Sequence, residues 1–315
     1  METVTLDEID RGLVHALQID GRAAFVRIAE VLGVSENTVA RRYRRLRAAG
    51  VLKVVGTVAG PLLGYASWTI RLRCAPDSAG AIAAALARRA DTYWVHLLSG
   101  GTEISCNTQA RTPAERDALL LDKLPRTSRI VAITAHSILE GYATPMTWRG
   151  AHCLSGSQIA RLQPDLPRPR GRRFTAADQV LADALAKDGR LSYPELARAT
   201  GWSPSTVKRR MDELRADGLL AYAVDIAPAA LGFQVEARLW MSVPPSHIRS
   251  VGQELARHKE ISFAALTTGP TNLVASVICR DSAHLSAYLT DRLGTIEAIR
   301  HLESAPVIRT LKGAA

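Results

Sequence analysis

The chain repeats itself. Shifted against itself by 168 positions, the 315-residue sequence brings Asp20-Gly21-Arg22 onto Asp188-Gly189-Arg190 and Gly33-Val34-Ser35 onto Gly201-Trp202-Ser203. Thr38-Val39 meets Thr206-Val207, Arg41-Arg42 meets Arg209-Arg210, Leu46-Arg47-Ala48 meets Leu214-Arg215-Ala216, and Leu63-Gly64 meets Leu231-Gly232. Past Gly64 the offset drifts to 169, pairing Gly100 with Gly269 and Arg111 with Arg280. A register held this long is a tandem duplication, so the fold must be one that half the chain can adopt twice.

Each copy reads as a helical part followed by an α/β part. In copy one, Thr5 to Glu8 forms a capping-box pattern that opens a helix with Leu6, Ile9, Leu13 and Leu17 on one face. Asp20-Gly21 breaks it, a short helix is expected from Phe25 to Leu32, and Gly33 makes the turn. Ser35 then caps a third helix that Gly50 stops. In copy two, Thr175 to Asp178, Ser192 to Glu195 and Ser203-Pro204 supply the same three starts. Three short helices with a tight glycine turn before the third make a helix-turn-helix. The apolar runs Val51–Val58 and Leu219–Ile226 supply a strand hairpin or wing.

The remainder of copy two reads strand, helix, strand, strand, helix, strand, over Val235–Val243, Ile248–His258, Ile261–Thr267, Leu273–Cys279, Ala283–Leu293 and Ile299–Ile308. That order is the split βαβ of a ferredoxin-like sandwich, whose helix-free sheet face must be covered. In a duplicated chain the other copy is the obvious cover. The fold class is therefore α+β: two winged helix-turn-helix modules alternate with two ferredoxin-like βαββαβ sandwiches, their sheets packed as an intrachain pseudo-dimer. The expected domains are 1–57 (helix-turn-helix), 58–160 (sandwich), a basic Pro-rich linker at 161–173, 174–225 (helix-turn-helix) and 226–315 (sandwich).

Forty basic residues against thirty acidic give a net charge of +10, which invites a polyanionic partner. Per residue the excess is greatest in the linker, RLQPDLPRPRGRR, at +4, while residues 1–57 carry +2 and residues 174–225 carry −1. The linker reads as a solvated tether or as a basic arm on phosphate backbone. Cys74, Cys106, Cys153 and Cys279 lie far apart without metal-ligand spacing, so no metal site, disulfide framework or cofactor is expected, and the cytoplasm is the expected location. No membrane span or signal-peptide pattern is seen. Nothing resembles a catalytic triad, phosphate loop or dinucleotide fingerprint, and an enzyme is not expected.

A helix turns about 100° per residue, which places Val39, Tyr43 and Leu46 on the core side of the third helix, like Val207, Met211 and Leu214 in copy two. Opposite Val39 lie Asn37, Arg41, Arg44, Arg45 and Ala48, a face made mostly of hydrogen-bond donors. Arginine grips guanine or phosphate and asparagine grips adenine, so such a face suits the major groove of double-stranded DNA. The candidate DNA contacts are Ser35, Asn37, Thr38, Arg41, Arg42, Arg44 and Arg45 in copy one. In copy two they are Ser203, Ser205, Thr206, Lys208, Arg209 and Arg210. Asp212 and Glu213 stand where copy one has Arg44 and Arg45, so copy one is expected to bind more strongly.

These residues carry a family resemblance. Leu6-Asp7-x-x-Asp10, Asp20-Gly21-Arg22, Gly33-x-Ser35-x-x-Thr38-Val39-x-Arg41-Arg42-x-x-x-Leu46 and Gly50-Val51-Leu52 closely resemble the Lrp/AsnC (feast/famine) transcriptional regulators. The second module repeats most of the pattern, and Thr268-Gly269-Pro270-Thr271-Asn272 resembles the turn of the family's effector-sensing (RAM-type) domain. The resemblance implies a nucleoid-associated DNA-binding regulator that answers to a small effector, often an amino acid, and assembles as a homo-oligomer, here of intrachain pseudo-dimers. It nominates Gly100, Gly101, Thr102, Glu103, Thr268, Gly269, Thr271 and Asn272 for the effector. The family tends to have Asp after the Gly-x-x of this turn, whereas this chain has Glu103 and Asn272. Two other readings remain: a tight-turn role for those residues, and a metabolite-binding module that does not bind DNA. A third is an enzyme like the siroheme decarboxylases, which resemble the family and use histidines in the sensor-like domains. His96 and His136 are the candidates for that role, although the marker stretches of those enzymes are absent.

Overall fold

The computed structural model describes residues 5–145, 148 and 150–314. Helices α1 (Glu8–Ile19), α2 (Phe25–Leu32) and α3 (Glu36–Ala48) lead into β1 (Leu52–Val58). Then come β2 (Ala66–Cys74), α4 (Ala79–Ala87), β3 (Thr92–Leu98), β4 (Glu103–Ala110), α5 (Pro113–Asp117), β5 (Ile130–Ala143) and α6 (Gly156–Leu162). The second copy supplies α7 (Ala176–Lys187), α8 (Tyr193–Thr200), α9 (Pro204–Ala216), β6 (Leu220–Ile226), β7 (Val235–Ser242) and α10 (Ile248–Leu255). It ends with β8 (Ile261–Thr267), β9 (Leu273–Cys279), α11 (Ser282–Ala287) and β10 (His301–Lys312). The elements sort into two compact units, one from residues 1–63 and 149–231, the other from 64–148 and 232–314. The chain thus crosses between units at each repeat, and like parts of the two copies pack together.

In the helical unit each module is a three-helix cluster. Asp7, not Thr5, caps α1, and its box partner is Asp10 rather than Glu8. Thr175 with Asp178 and Ser192 with Glu195 form the expected boxes. Gly33 (φ 68°) and Gly201 (φ 74°) end α2 and α8 in the left-handed region, where a side chain is strained. Of the two forms expected for the apolar runs, a strand hairpin or a wing, the hairpin is not seen among the described residues. Each module gives one strand, and β1 pairs antiparallel with β6, so that Val55 faces its own repeat equivalent, Ala223. A single strand satisfies its backbone by pairing across the pseudo-dyad.

The Asp-Gly-Arg repeats lock this pairing. Arg22 donates to the carbonyls of Gly189 (2.7 Å) and Leu191 (3.0 Å), while Arg190 donates to those of Gly21 (2.7 Å) and Ala23 (3.1 Å). Arg22 lies over Tyr193 and Arg190 over Phe25, at 5.1 and 4.5 Å from the ring centroids. A Cβ on Gly189 would come within 2.9 Å of the Val55 carbonyl carbon, and one on Gly21 within 2.6 Å of Tyr222 Cβ. Both glycines therefore permit the close approach. Asp20 and Asp188 complete the lock by accepting from Arg215 (2.7 Å) and Arg47 (2.6 Å) of the opposite module.

The expected boundary at 160/161 falls inside α6. That helix packs on the first module through Gln158 to the Val31 carbonyl (2.9 Å), and Arg27 donates to the Arg161 and Gln163 carbonyls. The linker is also more than a solvated tether. Asp217 accepts the backbone N–H groups of Arg170, Gly171 and Arg172, at 2.6, 3.0 and 2.7 Å.

In the other unit each copy forms a four-stranded antiparallel sheet with the expected ferredoxin-like order, β3-β4-β2-β5 and β8-β9-β7-β10. The sheets do more than pack face to face. β5 pairs with β8 and β10 with β3, closing an eight-stranded barrel. Ile138 opposite Thr267 and Val307 opposite Leu98 are the two pseudo-symmetric seams. Closure removes the edges that two separate sheets would leave unpaired. Ile70, Leu72, Ile104 and Cys106 pack outside the barrel beneath α4, as Ala237, Leu239, Ala275 and Val277 do beneath α10. Because strand side chains alternate, Arg71, Glu103, Ser105, Glu236, Arg238, Trp240 and Ser276 point into the barrel.

Candidate DNA interface and sensing barrel

The third helices start from serine caps. Ser35 accepts from the Thr38 N–H and Ser203 from the Thr206 N–H, and each hydroxyl also bonds the threonine hydroxyl. These four residues shape the helix start, leaving the face beyond to make contacts. Val39, Tyr43 and Leu46 are buried, as are Val207, Met211 and Leu214. On α3, Asn37, Arg41 and Arg44 are exposed, and Arg44 Nε donates to the Ala40 carbonyl of its own helix. This is the donor-rich face expected from the sequence.

Arg42, Arg45 and Arg210 are placed differently. Arg42 bonds Asp7 (2.5 Å) and the buried Asp10 (3.0 Å), and Arg45 also reaches Asp10 (2.5 Å). Arg210 grips the fully buried Asp178 through two nitrogens, at 2.6 and 2.7 Å. Arg42 and Arg210 therefore tie the third helix to the first, and the buried acids that hold them, Asp10 and Asp178, are the third helical residues of α1 and α7, which close the capping boxes. The Arg-Arg repeat thus combines an outward residue, Arg41 or Arg209, with an inward one. The buried carboxylates Asp10 and Asp178 were the missing signal.

Copy two is electrostatically poorer. Lys208 pairs with Asp212 (2.7 Å), while Glu213 faces Arg210 (3.4 Å) and Arg172 (3.7 Å). On this helix face Arg209 remains exposed, with no carboxylate partner among the described residues.

The sensing turns have the backbone expected of tight turns: Gly100, Gly101 and Gly269 sit at φ 74°, 88° and 98°. The side chains of Glu103, Asn272, Thr268 and Thr102 are bonded to the protein. Glu103 binds Arg71 (2.8 Å), and Asn272 bonds both the N–H (3.0 Å) and the carbonyl (2.8 Å) of Val243. Thr268 accepts from the Ser137 N–H, Thr102 donates to the Ser99 carbonyl, and the Thr271 carbonyl accepts from Thr267. Gly269 lies against the His136 ring, which a Cβ would overlap.

The unexpected chemistry is inside the barrel. Arg71 spans Glu103 and Glu303 and lies 4.2 Å from the Trp240 ring centroid. Arg238 is buried and donates to Ser276 at 2.6 Å. His96, also buried, bonds Thr310 at 3.0 Å. Burial, with the Arg238 charge, pushes the His96 imidazole down to about 3. Burial also pushes Glu236 up to about 7 and the Arg238 guanidinium down to about 10. The signal was legible in part: Glu236, Arg238 and Trp240 alternate with the apolar residues of β7.

A pH prediction follows from His96. Below about pH 6.5 the unfolded chain takes a proton at His96 that the native state refuses until about pH 3. Stability is thus lost on acidification through that window, by at most about 1.4 kcal/mol per unit. Glu236 opposes it, because from about pH 7 down to 4.5 the native state binds its proton first. His96→Asn should therefore gain stability relative to the parent as pH falls from 6.5, measured by urea unfolding. A difference that stays constant with pH would rule the assignment out.

Comparison with known proteins agrees with this architecture. Residues 6–47 match the AsnC-type helix-turn-helix domain, residues 182–221 a winged helix-turn-helix DNA-binding domain, and residues 236–314 the Lrp/AsnC ligand binding domain. An uncharacterized HTH-type transcriptional regulator of Pyrococcus furiosus is 32% identical over 129 residues, which are 87% of that protein and 41% of this chain. Regulatory protein AsnC of Escherichia coli is 28% identical over 142 residues, covering 93% of that protein and 43% of this chain. Nearly whole relatives thus align to less than half of the chain, as a duplication requires. A crystal structure of a siroheme decarboxylase shares the fold over 98% of this chain and 93% of its own, with a TM-score of 0.63 at 14% identity. With two DNA-binding modules and a ligand-binding domain matched, the chain belongs to the Lrp/AsnC family of effector-responsive transcriptional regulators.

Proposed function

We propose that the chain regulates transcription as a covalent pseudo-dimer that reads an imperfect palindrome, with α3 supplying most of the affinity and α9 a weaker half-site. The observation that carries this reading is the exposed donor face of α3, Asn37, Arg41 and Arg44, which pairs with no carboxylate among the described residues, against an α9 face on which Asp212 neutralises Lys208. Palindromy in DNA mirrors symmetry in the protein, so unlike helices imply unlike half-sites. Ser35, Thr38, Ser203, Ser205 and Thr206 meet phosphate at the helix starts in this reading, and Arg45 reaches it with its exposed part. A small effector, an amino acid or a related metabolite, biases DNA binding, and the chains associate into homo-oligomers in the cytoplasm.

The chain is read as a regulator without catalytic activity. His96 is held neutral and buried against Thr310, and His136 abuts Gly269, which suits neither for exchanging protons with a substrate. The fold shared with a siroheme decarboxylase keeps the enzyme as the second reading. One experiment separates them: fluorescence anisotropy with promoter fragments across a salt series, beside an absorbance titration with iron uroporphyrin III. The regulator is expected to bind duplex with affinity that falls steeply with salt, as several released counterions demand. A porphyrin spectrum that shifts at stoichiometric protein, with no duplex binding at low salt, would overturn it.

A further inference from the structure

The most deeply buried charge of the barrel has one edge without a hydrogen-bond partner among the described residues. Arg238 is 2% exposed, its Nη1 donates to Ser276 Oγ at 2.6 Å, and its guanidinium carbon lies 5.3 Å from the Phe263 ring centroid. Among the described residues, its Nε and Nη2 have no hydrogen-bond partner. Those two N–H groups share one edge of the planar guanidinium and point in parallel, at the spacing of the two oxygens of a carboxylate. Arg71 provides the comparison within the same barrel. Its Nε and Nη2 both donate to Glu103, and Nη1 and Nη2 to Glu303. One barrel arginine therefore has both edges filled by the protein's own carboxylates, while the other keeps a whole edge unfilled.

An unsatisfied buried charge is costly, and native interiors rarely keep one without a use. The strand neighbours of Arg238 are small: Ser276 on β9 and Ala305 on β10. Phe263, opposite Ser276 on β8, adds a flat apolar wall. On the facing sheet Asn107 Oδ1 is a second buried polar atom without a partner, and it is an acceptor. An eight-stranded barrel is wide enough inside for side chains or one small ligand.

We infer that the barrel interior binds a small organic carboxylate, whose two oxygens dock on the Nε–Nη2 edge of Arg238 beside Ser276 and Phe263. The orphan acceptor at Asn107 favours a ligand that also carries N–H donors, an amino acid over a simple carboxylic acid. This deepens the regulator reading and rests on it, placing the effector in the barrel rather than at the sensing turns.

The test uses the full chain, with the twenty protein amino acids, acetate and sulfate as probes, read by thermal unfolding and by tryptophan fluorescence. At least one amino acid should raise the parent's Tm, and Arg238→Met and Arg238→Gln should weaken its binding by at least about 30-fold, the loss expected when one partner of a buried charged contact is removed. Without ligand, Arg238→Met should unfold at or above the parent's Tm, because it removes a buried guanidinium with two unsatisfied N–H groups, which the nearby Glu236 attracts without bonding. A Tm rise that survives both substitutions, stabilisation by sulfate alone, or no stabilisation by any carboxylate would each overturn the inference. Duplex binding by the unsubstituted chain, measured in parallel, separates the two claims. Carboxylate binding without duplex binding sinks the regulator and keeps the site; the reverse sinks the site and keeps the regulator.

Discussion

Reversing Arg41 and Arg44 together to glutamate is expected to abolish duplex binding, a loss of at least about 100-fold, whereas Arg209→Glu weakens it only several-fold. Each arginine contact to a base or phosphate contributes on the order of 1–3 kcal/mol, and reversal adds repulsion to the loss. Arg41 and Arg44 are exposed and lack carboxylate partners among the described residues, so their substitution removes no fold contact there beyond the Arg44 bond to its own helix. Arg209 acts alone on its face because Asp212 occupies Lys208. Asp212→Asn frees that lysine, and a several-fold gain in affinity should result. Anisotropy titrations on one promoter fragment compare all four proteins. Equal losses from the two copies would refute the asymmetry.

The second large effect concerns stability. Asp178→Ala is expected to cost the helical unit about 3–5 kcal/mol, the range found when one partner of a buried ion pair is removed. Asp178 is fully buried, receives two nitrogens of Arg210, and closes the α7 capping box by accepting from the Thr175 N–H and hydroxyl. Thr175→Ala removes only the cap and should cost about 1 kcal/mol. Asp178→Leu combined with Arg210→Met leaves no orphaned charge and should recover most of the loss. Burial raises the Asp178 carboxyl, but its bonds to Arg210 and Thr175 prevail and hold it below the usual carboxylate range. Its contribution is therefore present above the ordinary carboxylate pKa and disappears on acidification below it. Urea unfolding of the four proteins at neutral pH decides; a loss near 1 kcal/mol for Asp178→Ala would show that only the cap matters.

Much of this molecule is legible in its sequence. The repeat, the helix starts at Ser35, Thr175, Ser192 and Ser203, and strands such as Ile261–Thr267 and Leu273–Cys279 follow from signals confined to a few neighbouring residues. Caps, glycine turns and side-chain alternation are local, and a duplicated chain states each of them twice. The outward face of α3 was readable for the same reason, since helix periodicity alone places Asn37, Arg41 and Arg44 together.

What was not legible depends on partners distant along the chain. Arg42 and Arg41 look alike in sequence, yet Asp7 and Asp10, more than thirty positions upstream, draw one of them inward. The runs expected as a strand hairpin or wing could pair within a module or across copies, and pairing across was decided by the close approach that Gly21 and Gly189 allow and by the exchanged arginines Arg22 and Arg190. Closure of the two sheets into a barrel likewise depends on edge strands meeting from opposite copies, and only closure makes the interior in which Arg238 is buried. Sequence alone therefore determined the duplication, the element types and the reading helix, because these rest on short-range backbone and side-chain preferences. The tertiary structure decided which arginines are spent on the fold and which stay open, because pairing of charge and burial is settled by neighbours in space.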